Sequence, residues 1–591
     1  MKGLLLVPMA LLATATLMVT SCGGGDQATA TPIPATPTAV PPTVAAPTAT
    51  STVVSPTATR PPATATPQPT PTPASTIPTP VVVTGGKRGG ILATSGRTSY
   101  IDAFDTYNTG GTAGVVTHGP LLNNILMKDV YGDGGKIGDA AEAWTFSGDG
   151  KVLTFTIRKG ISFHDGKPLT AKDVAYNIER AWKPRSPRMI AFKGKLDAIA
   201  AVETPDDSTV RLTLSQASNF LLEALALSAA MVYPAHMPLP EFDAEWKQKK
   251  IGSGPFRLGN LGGGKLELTR NASYWKPGLP YLDGIVITAI DDDALIISGY
   301  RTGKLYANSI DMTALQDVVL DGTLQREVGW TTYNVVSTME LLQFNQAAPW
   351  TDARVREALD LAIDRRALVS IVTRNVGNPL ASPLLPTNVG GRWAIPEQEM
   401  DIRPGFRKDK TADLARAKQL LKDAGIDPAA LTIRFLAGAP ASQAQRAEVI
   451  DGQLREIGLK SQLILLEPAQ KADSELKRSF DVDLVVISPG VEDPLDSIGT
   501  AVKTGGAFNF AQWSNPAIDR ILAEQDRELD PQKRARLLRD LQDLIMNERT
   551  NLMVDWSYRI IGHSKIVKNF PKKVSYLFDP RFRWEQVWLE Q

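Results

Sequence analysis

Between Leu153 and Arg158 apolar and polar residues alternate one for one, with Leu153, Phe155 and Ile157 set against Thr154, Thr156 and Arg158. A period of two predicts a strand buried on one face. The preceding "SGDGK" supplies a glycine-rich turn after a strand ending at Phe146, so the pair is predicted to be a hairpin. A second turn falls at Asp165-Gly166 in "HDGK". The period then changes to that of a helix. Thr170 with Asp173 three residues on is a capping-box-like start, and Val174, Ile178 and Ala181 make one apolar face.

From Thr411 to Ile487 helix and strand patterns take turns. "TADLARAKQLLKDAG" is an amphipathic helix closed by Gly425, "LTIRFL" a strand, "SQAQRAEVIDGQLREIG" a helix closed by Gly458, and "KSQLILLE" a strand. "DVDLVVIS" is a further, more continuously apolar strand. Such alternation predicts a mostly parallel sheet in an α/β lobe, a lobe type that binds ligands at the carboxyl ends of its strands. No tandem repeat is present.

The amino terminus has a different pattern. Lys2 precedes an apolar run from Leu4 to Val19, followed by Thr20, Ser21 and Cys22. A positive start, a short apolar stretch and small residues before the break make a secretory signal peptide over residues 1–21. The run is too short and too rich in Ala and Thr to match a transmembrane helix of about 20 apolar residues. "VTSC" resembles a bacterial lipobox, which implies that Cys22 carries diacylglycerol and is the mature N-terminus. Cys22 is the only cysteine among 591 residues. Once it is lipidated, disulfides, thiolate metal ligands and cysteine nucleophiles are all excluded. Cleavage also removes Lys2, taking the formal charge from +1 to about 0, a balance that points to no nucleic acid or anionic surface as a partner.

Residues 22–84 comprise the lipidated terminus and a stalk made almost wholly of Thr, Pro, Ala, Val and Ser. Proline removes backbone donors and fixes φ, and bulky apolar residues are missing, so neither helix nor sheet is expected. A semi-extended tether with a reach of about 3 Å per residue is expected instead. The composition changes to a globular mixture near Gly85, and the remaining length suits two or three lobes.

Motifs for catalysis are few. His118, His164, His236 and His563 fall in no metal-ligand spacing, and there is no GxSxG elbow. "GGKRGG" and "LGGGK" lack the spacing of a phosphate loop. His164 reads as a capping or packing residue. Asp291–Asp293 could suggest a divalent cation, but the bland reading as a loop and helix start is favoured. Asp352, Arg354, Arg356, Asp364 and Arg365 share a helix with an apolar face of Val355, Leu359, Ile363 and Leu368, which pairing and packing explain. No enzyme activity, cofactor or metal is expected.

An ordered series of motifs resembles the bacterial extracellular solute-binding proteins of family 5, the oligopeptide-, dipeptide- and nickel-binding proteins of ABC importers. The series runs "GGKRGGILATSG", "AEAW", "DGKVLTFTIRKG", "FHDGKPLTAKDV", "IGSGPFRL", "LTRNASYWKPGLPYLDGIVI", "LQFNQAAPWTDARVREALDLAIDRRALV", "LLKDAGI", "QLREIGLK" and "WSNPAIDRIL". It covers about Gly85 to Ser557. The resemblance implies an α/β, two-lobed periplasmic-binding-protein fold of type II, in the large peptide-binding subclass, with an extra subdomain on the first lobe. Lobe I would comprise residues 85–130, 252–337 and 556–591, the extra subdomain 131–251, and lobe II 338–555. Ligand would sit between lobes that close by a hinge.

The same resemblance implies a monomeric lipoprotein at the outer face of the cytoplasmic membrane that hands a solute, most simply an oligopeptide or dipeptide, to ABC permease subunits. A sugar or metal complex, a ligand-sensing role and an exported hydrolase are the alternatives. Peptide binders of the family carry "WxxDxxDP", whose first Asp pairs with the ligand's α-ammonium. Here "VISPGVEDPLDS" keeps Asp493-Pro494, but Gly490 stands where that Asp would be and Ile487 where the Trp would be, leaving Glu492 as a substitute. Candidate ligand contacts by position are Tyr100, Asp102, Asn345, Gly490, Glu492, Phe508, Asn509 and Phe510, and the lipidation site is Cys22. Mass spectrometry of the exported protein is expected to find Cys22 as a diacylglycerol-bearing N-terminus; an unmodified thiol on a freely diffusing product would contradict the anchor.

Overall fold

The computed structural model describes residues 85–98, 116–132, 135–183, 194–227, 230–237, 249–307, 322–389, 391–571 and 583–590. The leader, Cys22, the stalk, Tyr100 and Asp102 lie outside the described residues.

The hairpin expected around "SGDGK" forms from strands Ala141–Phe146 and Val152–Ile157. Its turn is held by Val152 N–H donating to Ser147 Oγ at 2.9 Å, with Gly150 at φ +70°, a conformation that disfavours a side chain. Leu153, Phe155 and Ile157 are buried, as their period requires. The helix that follows, Ala171–Trp182, starts with Asp173 Oδ2 accepting the Thr170 backbone N–H at 2.8 Å. Strands Ile199–Asp206 and Thr209–Leu214 complete a four-stranded antiparallel sheet with the hairpin.

A second four-stranded sheet pairs Ile91–Gly96 in parallel with Gly284–Ala289, which continues antiparallel to Lys265–Arg270 and Phe256–Gly262. Both sheets feed one apolar core, since Leu92, Phe256 and Ile285 cluster with Leu153, Phe155 and Val210. The C-terminal segment is tied in by Arg583, whose Nη1 and Nη2 donate to the buried Asp139 carboxylate at 2.8 and 3.0 Å.

The third large sheet has six strands in the order Gly377–Asn378, Asn551–His563, Thr331–Phe344, Val482–Ile487, Thr432–Gly438, Lys460–Leu466. The expectation of a mostly parallel sheet needs correcting. Only the last three strands, linked through helices Ala441–Glu456 and Pro468–Leu476, run parallel. The two long strands are antiparallel to each other, and Thr331–Phe344 is antiparallel to Val482–Ile487. These strands enter from the other lobe rather than through a helical crossover, and nothing in their local pattern records that. Apolar residues cover both faces: Leu342 and Phe344 join one core, and Met339 and Leu341 the other.

The long strands belong to both halves of the molecule. Val335 and Ile561 lie in the core shared by the first two sheets, whereas Val336, Met339 and Tyr558 lie in a core of the third. The register of the pair slips at Val336/Thr338, between these points, and again at Glu340/Leu341, just beyond Met339. A slip bends a strand pair and loosens its ladder, so the crossing is the natural place for a hinge.

Ionisable side chains are buried at that crossing. Arg446, from helix Ala441–Glu456, donates to both Asp555 oxygens at 2.9 and 3.0 Å and to Ser557 Oγ at 2.5 Å. Glu340 faces the same group and accepts from Thr338 Oγ1 at 2.6 Å. Burial pushes the Glu340 carboxyl up to about 7, with Arg446 pulling it down and Asp555 adding to the rise. An acid with a raised pKa keeps its proton in the folded chain at pH values where the unfolded chain has lost it. Its contribution to stability is therefore complete below the unfolded value of 4.5 and is lost as pH climbs toward about 7. In denaturant unfolding from about pH 5 to about pH 8, the wild-type chain is expected to lose stability relative to Glu340→Gln; parallel curves for the two would contradict this.

Candidate functional site

The loop at residues 488–497 leaves the carboxyl end of strand Val482–Ile487, whose last residue pairs with Met339 at the crossing. That register puts the loop at the boundary between the halves. Val491 is buried in the first-lobe core, and Asp496 is ion-paired to Lys195, a residue beside the antiparallel subdomain sheet. Asp496 Oδ2 also accepts the Gly490 and Val491 N–H groups at 2.6 and 2.9 Å, which folds the loop back on itself. Asp493 is buried, with Arg534 Nη2 donating to it at 2.5 Å and Leu495 N–H at 2.9 Å. Burial pushes Asp493 up to about 6 although Arg534 pulls it down.

Glu492 meets a neighbouring loop. Arg392 donates its backbone N–H to Oε1 at 2.5 Å and its Nε to Oε2 at 2.9 Å. The same guanidinium lies 3.5 Å from Glu223 in the subdomain, a buried carboxylate that also pairs with Lys128 and Lys136. These cations hold the Glu223 carboxyl well below the usual range despite its burial. Beneath the loop is a pocket walled by Val336, Leu384, Leu385, Trp393, Val491 and Trp556. Val336 and Trp556 come from the two crossing strands, so the pocket touches the hinge.

The halves also meet end to end through two helices. Asp526, in the last turn of helix Pro516–Arg527, accepts from Phe220 N–H at 2.8 Å and Ser218 Oγ at 3.1 Å, capping the start of helix Asn219–Leu225. In return Asn219 Nδ2 donates to the carbonyls of Asp526 and Glu528 at 2.9 and 2.7 Å. Each helix end thereby satisfies backbone groups of the other.

Glu492 lines the pocket, and Gly490 lies in the same loop with its N–H held by Asp496. Phe508 and Phe510 stand apart, with ring centroids 6.0 Å from each other, and line a second pocket with Gln443, Lys471 and Glu475. Asn509 is tied to its own loop, donating to Lys503 O at 3.0 Å and Trp513 O at 2.7 Å. Asn345 is not brought to the site. It follows Phe344, which pairs with Val482 at the far end of the sheet, and its Nδ2 donates to Phe480 O at 2.8 Å. His164 bridges backbone, its Nδ1 accepting Gly252 N–H while Nε2 lies 3.2 Å from Gly254 O, and burial lowers its pKa to about 4. Asp292 caps helix Asp293–Arg301, Asp291 accepts from Thr98, and Asp293 pairs with Arg97.

A family model for the bacterial extracellular solute-binding proteins, family 5 (middle), matches residues 137–509, more than half of the chain. The chain belongs to this family. Among family 5 relatives, it is 27% identical over 445 residues to the glutathione-binding protein GsiB of Salmonella choleraesuis, covering 73% of this chain and 82% of that one. It is 25% identical over 443 residues to the di/tripeptide-binding protein 1 of Pseudomonas aeruginosa, covering 69% and 78%. The solved structure of HbpA2 from Haemophilus parasuis superposes with a TM-score of 0.73 at 18% identity, over 85% of this chain and 100% of that one. The two-lobed α/β fold of these family 5 proteins is accordingly the fold of this chain.

The sequence pattern did not single out Lys195, Asn219, Glu223, Arg392, Trp393, Asp496 or Asp526. Arg392-Trp393 in "GGRW" offered a signal, an aromatic and a cation after two glycines, but nothing linked it to Glu492 a hundred residues on. Asp526→Ala and Asn219→Ala are each expected to cost about 1–2 kcal/mol in denaturant unfolding. Because they break one reciprocal cap, the double variant should lose less than the sum of the two; full additivity would show that the caps act separately.

Proposed function

We propose that this family 5 protein captures a peptide-like solute between its lobes and presents it to an ABC permease, working as a monomer tethered to the outer face of the cytoplasmic membrane through Cys22 and its stalk. The observation that carries the reading is the 488–497 loop at the crossing of the long strands, where the Lys195–Asp496 and Arg392–Glu223 pairs bring charged groups of both lobes together. Ligand there would contact the hinge and both halves at once, so its binding energy can favour the closed arrangement over the open one. Relatives named for glutathione and for di- and tripeptides support a small peptide as the solute.

The protein's work is then binding alone. The acids at the loop are tied to cations or backbone N–H groups rather than set beside a nucleophile, an arrangement that suits a rigid wall more than proton transfer. Closure around the solute creates the surface that the permease recognises. Lobe I is assigned to residues 85–130, 252–337 and 556–591, the extra subdomain to 131–251, and lobe II to 338–555. A thermal-shift screen of di- to pentapeptides, blocked peptides and oligosaccharides tests the solute class. A true ligand at 100 times its Kd adds about 2.7 kcal/mol of stability and should raise Tm by several degrees. A response to oligosaccharides alone would overturn the peptide assignment.

A further inference from the structure

The subdomain at residues 131–251 is fastened differently on its two sides. Toward lobe I it shares an apolar core, in which Leu153, Phe155 and Val210 of its sheet cluster with Leu92, Phe256 and Ile285. Water offers those side chains nothing in exchange, so the subdomain moves with lobe I as one body. Toward lobe II its hydrogen bonds and ion pairs gather in one stretch, residues 195–223. Lys195 pairs with Asp496, and Gln216 Oε1 accepts from Arg527 Nε at 3.0 Å. Helix Asn219–Leu225 contributes twice: its first turn exchanges caps with Asp526, and Glu223, one turn later, lies 3.5 Å from the Arg392 guanidinium.

The partners on lobe II come from three separate segments. Asp496 belongs to the 488–497 loop, Arg392 to the loop at residues 391–396, and Asp526 and Arg527 to the last turn of helix Pro516–Arg527. One edge of the subdomain thereby grips lobe II at three places, on the far side of the crossing strands from its own core. Each contact joins an ammonium, guanidinium, carboxylate, amide or backbone N–H to a polar partner. Such groups can trade one another for water, so these contacts can be unmade and remade as the lobes turn about the crossing.

We propose that the subdomain is a latch: carried on lobe I, it reaches lobe II with its 195–223 edge and holds the two lobes closed. The inference rests on the capture reading above and adds what keeps the closed arrangement populated. Contacts made only when the lobes are closed raise the closed share of the chains. They therefore strengthen the binding of every solute by the same factor, whatever its chemistry.

The test is double electron–electron resonance on the full chain without solute, refolded from denaturant to strip any bound molecule. Spin labels are placed on Lys172→Cys in the subdomain and Lys418→Cys in lobe II, both exposed positions, in a Cys22→Ser chain so that only the introduced thiols react. Lys195→Gln combined with Asn219→Ala weakens the edge from the subdomain side alone and leaves lobe II as it is. The pair is expected to lower the ratio of short to long label distances about tenfold. An unchanged ratio would overturn the latch. Should the double variant not fold, Lys195→Gln by itself, at a part-exposed position, is expected to lower the ratio about threefold; no change there would overturn the latch equally. Neither result touches the capture reading, which stands or falls on the solute screen, because the distances are measured with no solute present.

Discussion

The architecture depends on one pair of antiparallel strands, Thr331–Phe344 and Asn551–His563, that runs through the cores of both lobes. Backbone hydrogen bonds make the pair stiff along most of its length, and both ends are anchored in packed apolar side chains. Movement of one lobe against the other must therefore be absorbed where the ladder slips, at Val336/Thr338 and Glu340/Leu341. The pocket under the 488–497 loop draws two of its walls from this short stretch. The pocket and the slipping stretch of the ladder are thereby one neighbourhood.

The lobes themselves are joined in a different manner from their interiors. Within each, large apolar clusters are sealed from water. Between them the described contacts include the Lys195–Asp496 and Arg392–Glu223 ion pairs and the exchange of caps between Asp526 and Asn219. Polar partners of this sort can exchange one another for water as the halves part, whereas an apolar core has no such substitute. A molecule that must open to take a solute and close around it needs this contrast. Cohesion is strong where the chain must hold its shape and exchangeable where it must move.

Much of the fold was legible in the chain because its signals are local. The hairpin turn with Gly150, the Thr170–Asp173 helix start, and the helices ending before Gly425 and Gly458 all form as their spacing implies. The site was legible only in part. Gly490 and Glu492 follow the strand Val482–Ile487 at its carboxyl end, whereas Asn345 belongs to the opposite end of the same sheet. Strand direction decides between the two ends, and direction is set by the antiparallel entry of the long strands, which carries no local mark.

The sequence by itself determined the local elements, the lone cysteine at position 22, the family and the absence of an acid at position 490, since each is written in residue type and spacing. Tertiary structure decided what the remaining acids do. What surrounds Glu492, Asp493 and Asp496 depends on Arg392, Arg534 and Lys195, which lie far from them in the chain, the first two reaching them within one lobe and Lys195 from the other half. A carboxylate's availability is a property of its neighbours in space, and those neighbours are chosen by the fold.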